Sequence, residues 1–413
     1  MNTLQITLRD RIGERFNGYR LHRSLRERGH ASRMLVVEKD SDDPDVHAHT
    51  RAGRLLERAL YAGERVTGLQ GMLSPFAWTF PLRACFRAAQ VVHWHMIYPH
   101  YVSLPAMPAL ARRRPTVWTL HDPWAMTGHC VHPLDCERWK TGCGRCPDLQ
   151  RNFAVWFDTT AWVWKQKRAA FRDTPLTLVV ASPWMRARVA ASPLLAPWEC
   201  HVIPFGLDLE RWSPPARAAC RARLGIPADA KVVAFRMARG LRQHATKGLP
   251  WLLAALRQLP WPEPIHLIAL EGEGTFDELR GRYVLHQPGW LPDEARLAEW
   301  LAAADLFVMP SAAESFGMMA IESLACRTPV VVTDGTALVD TARVPEAGIA
   351  VPYGDAAALA RVIGQLLADD GLRARLAERG REIVEREHAW SDYVRRHEEL
   401  YRSLVERAAG AAR

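Results

Sequence analysis

A chain of 413 residues is too long for one ordinary hydrophobic core, so two domains are the natural expectation. With 48% hydrophobic and 24% charged residues it is not a disordered chain, and no run approaches the ~20 uninterrupted apolar residues that span a bilayer. The net charge of +9 favours an anionic partner (a phosphate-bearing ligand, an anionic lipid surface or nucleic acid), although an arginine-rich composition that only keeps a protein soluble carries the same sign.

Charges at Arg9, Asp10 and Arg11 interrupt the only apolar run near the N-terminus, so no signal peptide is read. The expected compartment is the cytoplasm, or the cytoplasmic face of a membrane. In chain order, short apolar runs predict strands at Leu4–Leu8, Val91–His95, Thr116–Leu120, Leu176–Ala181 and His201–Ile203. A second series follows at Val232–Phe235, Ile265–Leu270, Tyr283–His286, Leu306–Met309 and Val330–Thr333. Helical patterns alternate with them at Asn17–Gly29, Ala216–Leu224, Pro250–Gln258, Asp293–Ala304, Met318–Ala325 and Ala356–Ala368. This alternation predicts an α/β chain of two Rossmann-like, doubly wound domains facing across a cleft. Proline and glycine gather between Val202 and Pro215, which places the domains at residues 1–206 and 207–385, with a C-terminal helical stretch, 386–413. Ligands of such domains bind beyond the carboxyl ends of the strands, so the chemistry is sought on strand-end loops.

The segment from Asp305 to Asp334 reads as strand, loop, helix, strand. A helix beginning at Gly317 offers unpaired N–H groups and a partial positive charge, which suits a diphosphate. Glu314 precedes this helix and Glu322 lies within it. Taken singly they are a capping acid and a solvated helix residue; together they suit the hydroxyls of a sugar and a ribose.

Glu314 and Glu322, with seven residues between them in a Pro-Ser…Glu-Ser-Phe-Gly…Ile-Glu-Ser-Leu-Ala frame, resemble the donor-site motif of the family 4 retaining glycosyltransferases. The resemblance implies a two-domain GT-B fold and a nucleotide-diphosphate sugar donor, with UDP or GDP as the nucleotide. It also implies Glu314 on the donor sugar, Glu322 on the ribose, and backbone groups of Ser315, Phe316, Gly317, Met318 and Met319 near the diphosphate. The family's basic pair is matched by Arg236 after strand Val232–Phe235 and by Lys247 before Gly248, with a longer gap than usual. Arg239 or Arg242 are therefore alternatives to Arg236. Such fixed cations offset the charge that develops on a departing nucleoside diphosphate. Gly272, in Glu271-Gly272-Glu273-Gly274, resembles the family's glycine turn near the nucleotide. No Asp-x-Asp pair follows a strand, so no catalytic metal is expected.

In the first half, Phe16-Asn17-Gly18 follows strand one. The family usually has a glycine-rich loop there; this chain has Gly13 and Gly18 without a paired glycine, and Gly18 is placed at the cleft. The run His121-Asp122-Pro123-Trp124-Ala125-Met126-Thr127-Gly128 resembles a subgroup of bacterial family 4 enzymes that make polysaccharides, and it puts His121 beside the sugar or its anomeric centre. His93 and His95 end a strand and are either acceptor-side or structural. Cys130, Cys136, Cys143 and Cys146, within the loop 129–147, read as a structural zinc site, with disulfides or free thiols as alternatives and His129 or His132 as substitute ligands. The C-terminal stretch from Glu387 resembles the family's last helix, which crosses back onto the first domain.

These readings imply metal-independent transfer of a hexosyl group, with retention, to a saccharide, lipid-linked or small-molecule acceptor. The segment Arg51–Met72, basic with apolar Leu55, Leu56, Leu60 and Leu69, is either a packed helix or a peripheral membrane contact. The rivals are a nucleotide-sugar epimerase or a phosphorylase on the same fold. A further rival, of another class, is a non-catalytic nucleic-acid-binding protein with a zinc loop; irregular cysteine spacing and the lack of a basic-aromatic stripe speak against any nucleic-acid partner.

Overall fold

Parallel strands covered on both faces are made of unbroken apolar runs rather than alternating ones, and this is what the chain's β-branched segments form. The structure is a computed structural model and describes residues 1–98, 101–151, 153–172, 174–236, 246–271 and 281–411. The chain divides into two compact units, Met1–Phe205 with Tyr393–Arg413, and Gly206–Asp392.

The first unit holds β1 (Asn2–Arg9), β2 (Ala31–Glu38), β3 (Val46–Ala48), β4 (Val91–Trp94), β5 (Thr116–Leu120), β6 (Leu176–Val180) and β7 (Glu199–Val202), in the order β3-β2-β1-β4-β5-β6-β7. Each neighbouring pair is parallel. Trp94, Trp118, Phe171 and Leu178 are fully buried at the centre of its core. The second unit holds β8 (Val232–Arg236), β9 (Ile265–Leu270), β10 (Tyr283–Gly289), β11 (Leu306–Met309), β12 (Val330–Thr333) and β13 (Gly348–Val351), in the order β10-β9-β8-β11-β12-β13, also all parallel. Val233, Phe235, Leu267, Val308 and Val331 fill its core. The expected pair of doubly wound parallel-sheet domains is therefore present.

Three strands were not expected from the sequence. β3 is three residues long and β13 begins on a glycine, so neither presents a long apolar run, while β2 carries the four apolar residues Met34–Val37 behind a polar Ala-Ser-Arg opening and was passed over. No helix among the described residues is long and apolar enough to cross a membrane.

A buried ion cluster ties the second unit together below its strands. Asp305, 3% exposed, accepts from Arg221 Nη2 at 3.0 Å, from the Val232 N–H at 2.8 Å and from Arg217 Nη1 at 3.3 Å. Arg221 is itself 5% exposed and also donates to the carbonyls of Ala303 and Ala228. Removing the acid strands a buried cation, so Asp305→Ala should cost about 3–5 kcal/mol of stability. A urea midpoint unchanged from that of the wild-type chain would count against this account.

Candidate functional site

In the second unit the strand order reverses between β8 and β11, which opens a crevice at their carboxyl ends. Beyond β11, Pro310–Phe316 forms a loop and Gly317 starts the helix Met318–Ala325. Gly317 has φ 94°, and a Cβ there would meet Leu338 Cδ2 at 2.3 Å, so both conformation and space demand glycine. With no side-chain cap, the first N–H groups of this helix are left for a ligand, at its positive end. The Ala337 N–H donates to Glu314 O at 3.2 Å and Thr341 Oγ1 donates to Phe316 O at 2.6 Å, which pins the loop at two carbonyls.

The loop is met by Gly248, the left-handed N-cap of the helix Leu249–Gln258. A Cβ on Gly248 would lie 1.8 Å from the Pro310 carbonyl oxygen, so the two backbones touch there. The Ala312 N–H donates to Thr246 O at 2.8 Å beside it. This approach seats the Lys247 ammonium on the Glu314 carboxylate as a partly buried ion pair. Lys247, Glu314 and the Gly317 helix start, distant in sequence, are thus brought together.

The other expected donor-site residues fall into three groups. Phe316 and Met319 are 5% and 4% exposed, so only their backbone faces a ligand, while Ser315 and Met318 are half-buried. Glu322, expected on a ribose, is fully covered at 0% exposure. Arg236 ends β8 in an ion pair with Glu271, apart from the Lys247–Glu314 pair. Arg239, Arg242 and Gly272 lie outside the described residues.

In the first unit the order reverses between β1 and β4. Gly18, φ 97°, caps the helix Tyr19–Glu27 there, and a Cβ would meet His95 Nε2 at 2.4 Å. The Asn17 side chain shapes this turn, donating to the carbonyls of Arg9, Asp10 and Ile12 and accepting from the Tyr19 N–H. His121 follows β5 and lies parallel to the Phe205 ring at 5.8 Å, with Phe16 at 5.7 Å and His95 at 6.0 Å. Gly18 and His121 therefore share one strand-end region. Burial pushes the His121 imidazole down to about 4, so it is neutral at pH 7, and its Nε2 is enclosed without a partner among the described residues. His93 and His95 are fully buried: His93 bonds Tyr401 Oη and Thr119 Oγ1, and His95 bonds Gln5 Oε1.

The residues after His121 form its support. Asp122 Oδ1 accepts the Trp124 N–H at 2.8 Å and Oδ2 accepts from Tyr98 Oη, whose ring stacks on Trp124 at 4.3 Å. Lys167, fully buried, donates to the carbonyls of Trp124 and Thr127 at 2.6 and 2.8 Å and sits over the Trp124 ring. Gly128 is packed so tightly that a Cβ would lie 2.1 Å from Thr160 O.

Among the described residues no group of three or more Cys, His, Asp or Glu side chains is disposed to hold a metal ion, and all eight cysteines are free. Cys143 Sγ instead accepts the Gly128 N–H at 3.1 Å. Burial raises the thiols of Cys130 (to about 12), Cys143 and Cys146.

Comparison with known proteins decides the family. Residues 19–211 match Glycosyltransferase Family 4 and residues 235–369 match Glycosyl transferases group 1. The chain belongs to the family 4 glycosyltransferases. It is 36% identical over 226 residues to a D-inositol 3-phosphate glycosyltransferase from Xylanimonas cellulosilytica, covering 50% of this chain and 52% of that protein. The chain thus spans about half the length of that relative. Among solved structures, a sucrose-phosphate synthase from Thermosynechococcus elongatus matches with a TM-score of 0.71 at 22% identity, over 98% of this chain and 99% of that one. HepE from Anabaena, in complex with UDP and glucose, matches with a TM-score of 0.64 at 16% identity, over 98% and 100%. Both share the GT-B fold.

Sequence reasoning missed Lys167, Asn17 and Phe205. Only Asn17 carried a local signal, as a turn residue next to Gly18. Lys167 also yields a pH test. Burial lowers its amine to about 7 against 10.5 for an ordinary lysine, with Cys143, Cys130 and Asp122 opposing the fall. Between these values the unfolded chain holds the proton that the folded chain releases, so this group's contribution to stability rises with pH from about 7 to about 10.5. The stability of the wild type minus that of Lys167→Met should climb across that window. A flat difference would show that Lys167 keeps its proton throughout.

Proposed function

We propose that this chain moves a sugar from a nucleotide-diphosphate sugar to an acceptor hydroxyl with retention at the anomeric carbon. The observation that carries the proposal is the Lys247–Glu314 pair beside the uncapped start of the Gly317 helix. A diphosphate resting on the first N–H groups of that helix meets a dipole and a cation of the right sign. Lys247 then turns from the carboxylate toward the phosphate, and Glu314 is left to accept hydrogen bonds from sugar hydroxyls. As the bond from the anomeric carbon to the phosphate oxygen breaks, its electron pair leaves with the diphosphate, and Lys247 with the helix N-terminus offsets that charge. The acceptor oxygen bonds the same face, and its proton passes to the leaving phosphate oxygen.

His121, neutral at pH 7, serves on the first unit as a hydrogen-bonding group for a sugar hydroxyl. Arg236 is a second cation for the diphosphate once freed from Glu271. Glu322 serves a ribose only if its cover is displaced. The UDP bound to HepE supports a uridine donor, and the inositol phosphate relative supports a small phosphorylated acceptor. The test is donor hydrolysis and transfer over a panel of UDP- and GDP-sugars in EDTA, with the product anomer read by NMR. Glu314→Gln and Lys247→Ala should each lower kcat/KM by about 10²–10³. No turnover of any donor by folded wild-type chain would sink the assignment.

The peripheral membrane contact rests on a second observation. The helix Arg51–Thr67 is turned inside out: Glu57 and Glu64 are buried, while Leu55 and Leu56 are 65% and 47% exposed among Arg51, Arg58 and Arg65. Glu64 is held by the N–H groups of Gly71, Met72 and Leu73, and Glu57 by Ser74 Oγ. Outward leucines beside arginines suit an anionic bilayer surface. Leu55→Glu with Leu56→Glu should release the chain from phosphatidylglycerol vesicles in a flotation assay without lowering turnover of a soluble acceptor. Unchanged flotation would remove this contact.

A further inference from the structure

A second concavity lies in the first unit, at the opposite end of the sheet from His121. It has a volume of about 1080 Å³ and is bounded by the amino ends of β4 to β7 and the last turns of the helix Trp390–Ala411. β5 begins at Thr116, on this cavity, and ends just before His121, so the two places are a strand length apart, roughly 17 Å. This is a separate place on the molecule.

Five arginines line it: Arg87, Arg112, Arg113, Arg114 and Arg407. One acid, Glu199, lines it too, and this acid is already shared between Arg407 at 3.0 Å and His201 at 2.9 Å. Arg114 is a structural member, donating to the carbonyls of Arg113 and Arg87 at 2.7 Å each, and its buried Nε has no partner among the described residues. Arg112 and Arg113 form no ion pair among the described residues, and both are exposed. Cations at the end of the short helix Met107–Ala111 suit its dipole, but that does not explain why arginines from two further segments, Arg87 and Arg407, converge on the same hollow. Like charges gathered around one acid repel, and an anion relieves them. Guanidinium groups match the oxygens of a phosphate in paired hydrogen bonds. Between the arginines the wall is apolar, with Leu176, Trp198 and Leu404.

We propose that this cavity binds a phosphate-bearing anion carrying an apolar portion, at a site independent of the donor site. Two sources share that chemistry, a soluble organic phosphate and the headgroup region of an anionic lipid, and both ligands place phosphate on Arg112 and Arg113 and carbon against Trp198. Occupancy would brace the helix Trp390–Ala411 against the amino ends of β6 and β7.

The test uses the full chain in two arms. The soluble arm titrates inorganic pyrophosphate by calorimetry in the Lys247→Ala background, which disables the donor site. The lipid arm measures flotation with phosphatidylglycerol against phosphatidylcholine vesicles in the Leu55→Glu, Leu56→Glu background, which disables the other proposed membrane contact. Arg112→Ser with Arg113→Ser changes two exposed side chains and should leave the melting temperature in place while weakening binding about tenfold or more. Arg407→Ser, on a different segment, should weaken it in the same direction. Loss confined to the pyrophosphate arm assigns a soluble phosphate; loss confined to the vesicle arm assigns a lipid headgroup; loss in both supports the shared chemistry. If neither arm binds, or if binding is indifferent to both variants, the site does not exist.

Discussion

In each unit the connections leave the first strand of the sheet in opposite directions, one series winding towards β3 or β10 and the other towards β7 or β13. A doubly wound sheet so built cannot cover the carboxyl ends of its two central strands with one crossover, and the ends of β1 and β4, and of β8 and β11, are left open. Everything argued about function depends on this constraint. Gly18, Asn17, His95 and His121 collect at the first gap, and Lys247, Glu314 and Gly317 at the second. Glycine recurs at both gaps because a Cβ would clash, with the His95 side chain at Gly18, with the Leu338 side chain at Gly317 and with the Pro310 backbone at Gly248. Where two strand-end loops must come within backbone contact, as Gly248 does with the Pro310 carbonyl, no side chain fits between them.

Much of this was legible in the sequence, and unevenly so. The stretch from Leu306 to Thr333 announced its strand, loop, helix and strand because two unbroken apolar runs flank a glycine and a helix-forming segment. Glu314 and Lys247 were each singled out, but their pairing was not, since it depends on a backbone contact between segments more than sixty residues apart. The exposed leucines of Arg51–Thr67 were seen as one face of an amphipathic helix. That its buried face is built on Glu57 and Glu64 was invisible, because periodicity reports where apolar residues recur and not which side the loop 71–74 will cap. In the cysteine loop spacing suggested ligands, while the hydrogen bond from the Gly128 amide to Cys143 and the burial of Cys130 depend on the fold and could not be read from it.

The loop that carries His121 is held from its underside. Asp122, Trp124 and Thr127 point inward: Asp122 caps the turn and receives Tyr98, Trp124 lies between Tyr98 and Lys167, and Thr127 donates to the Cys130 carbonyl. Their common effect is to fix the backbone on either side of the one residue left near the strand end.

The supports in the first unit share an electrostatic character. His93, His95 and His121 are pushed down by burial, Glu57 and Glu64 are pushed up to about 7, and Lys167 falls to about 7. In each case the low-dielectric interior disfavours the charged form; hydrogen bonds without a full ion pair hold all of them but His121, which is held among aromatic rings. The second unit does the reverse, closing its site with an ion pair and its base with the Asp305 cluster. The difference suits the roles proposed for them. A unit that must meet a diphosphate keeps fixed charges at the site, where a ligand can exchange for a partner, while a unit that positions sugar hydroxyls needs orientation without charge. Near pH 7 Glu57, Glu64 and Lys167 all lie close to their midpoints, so the charge held inside the first unit responds to pH there.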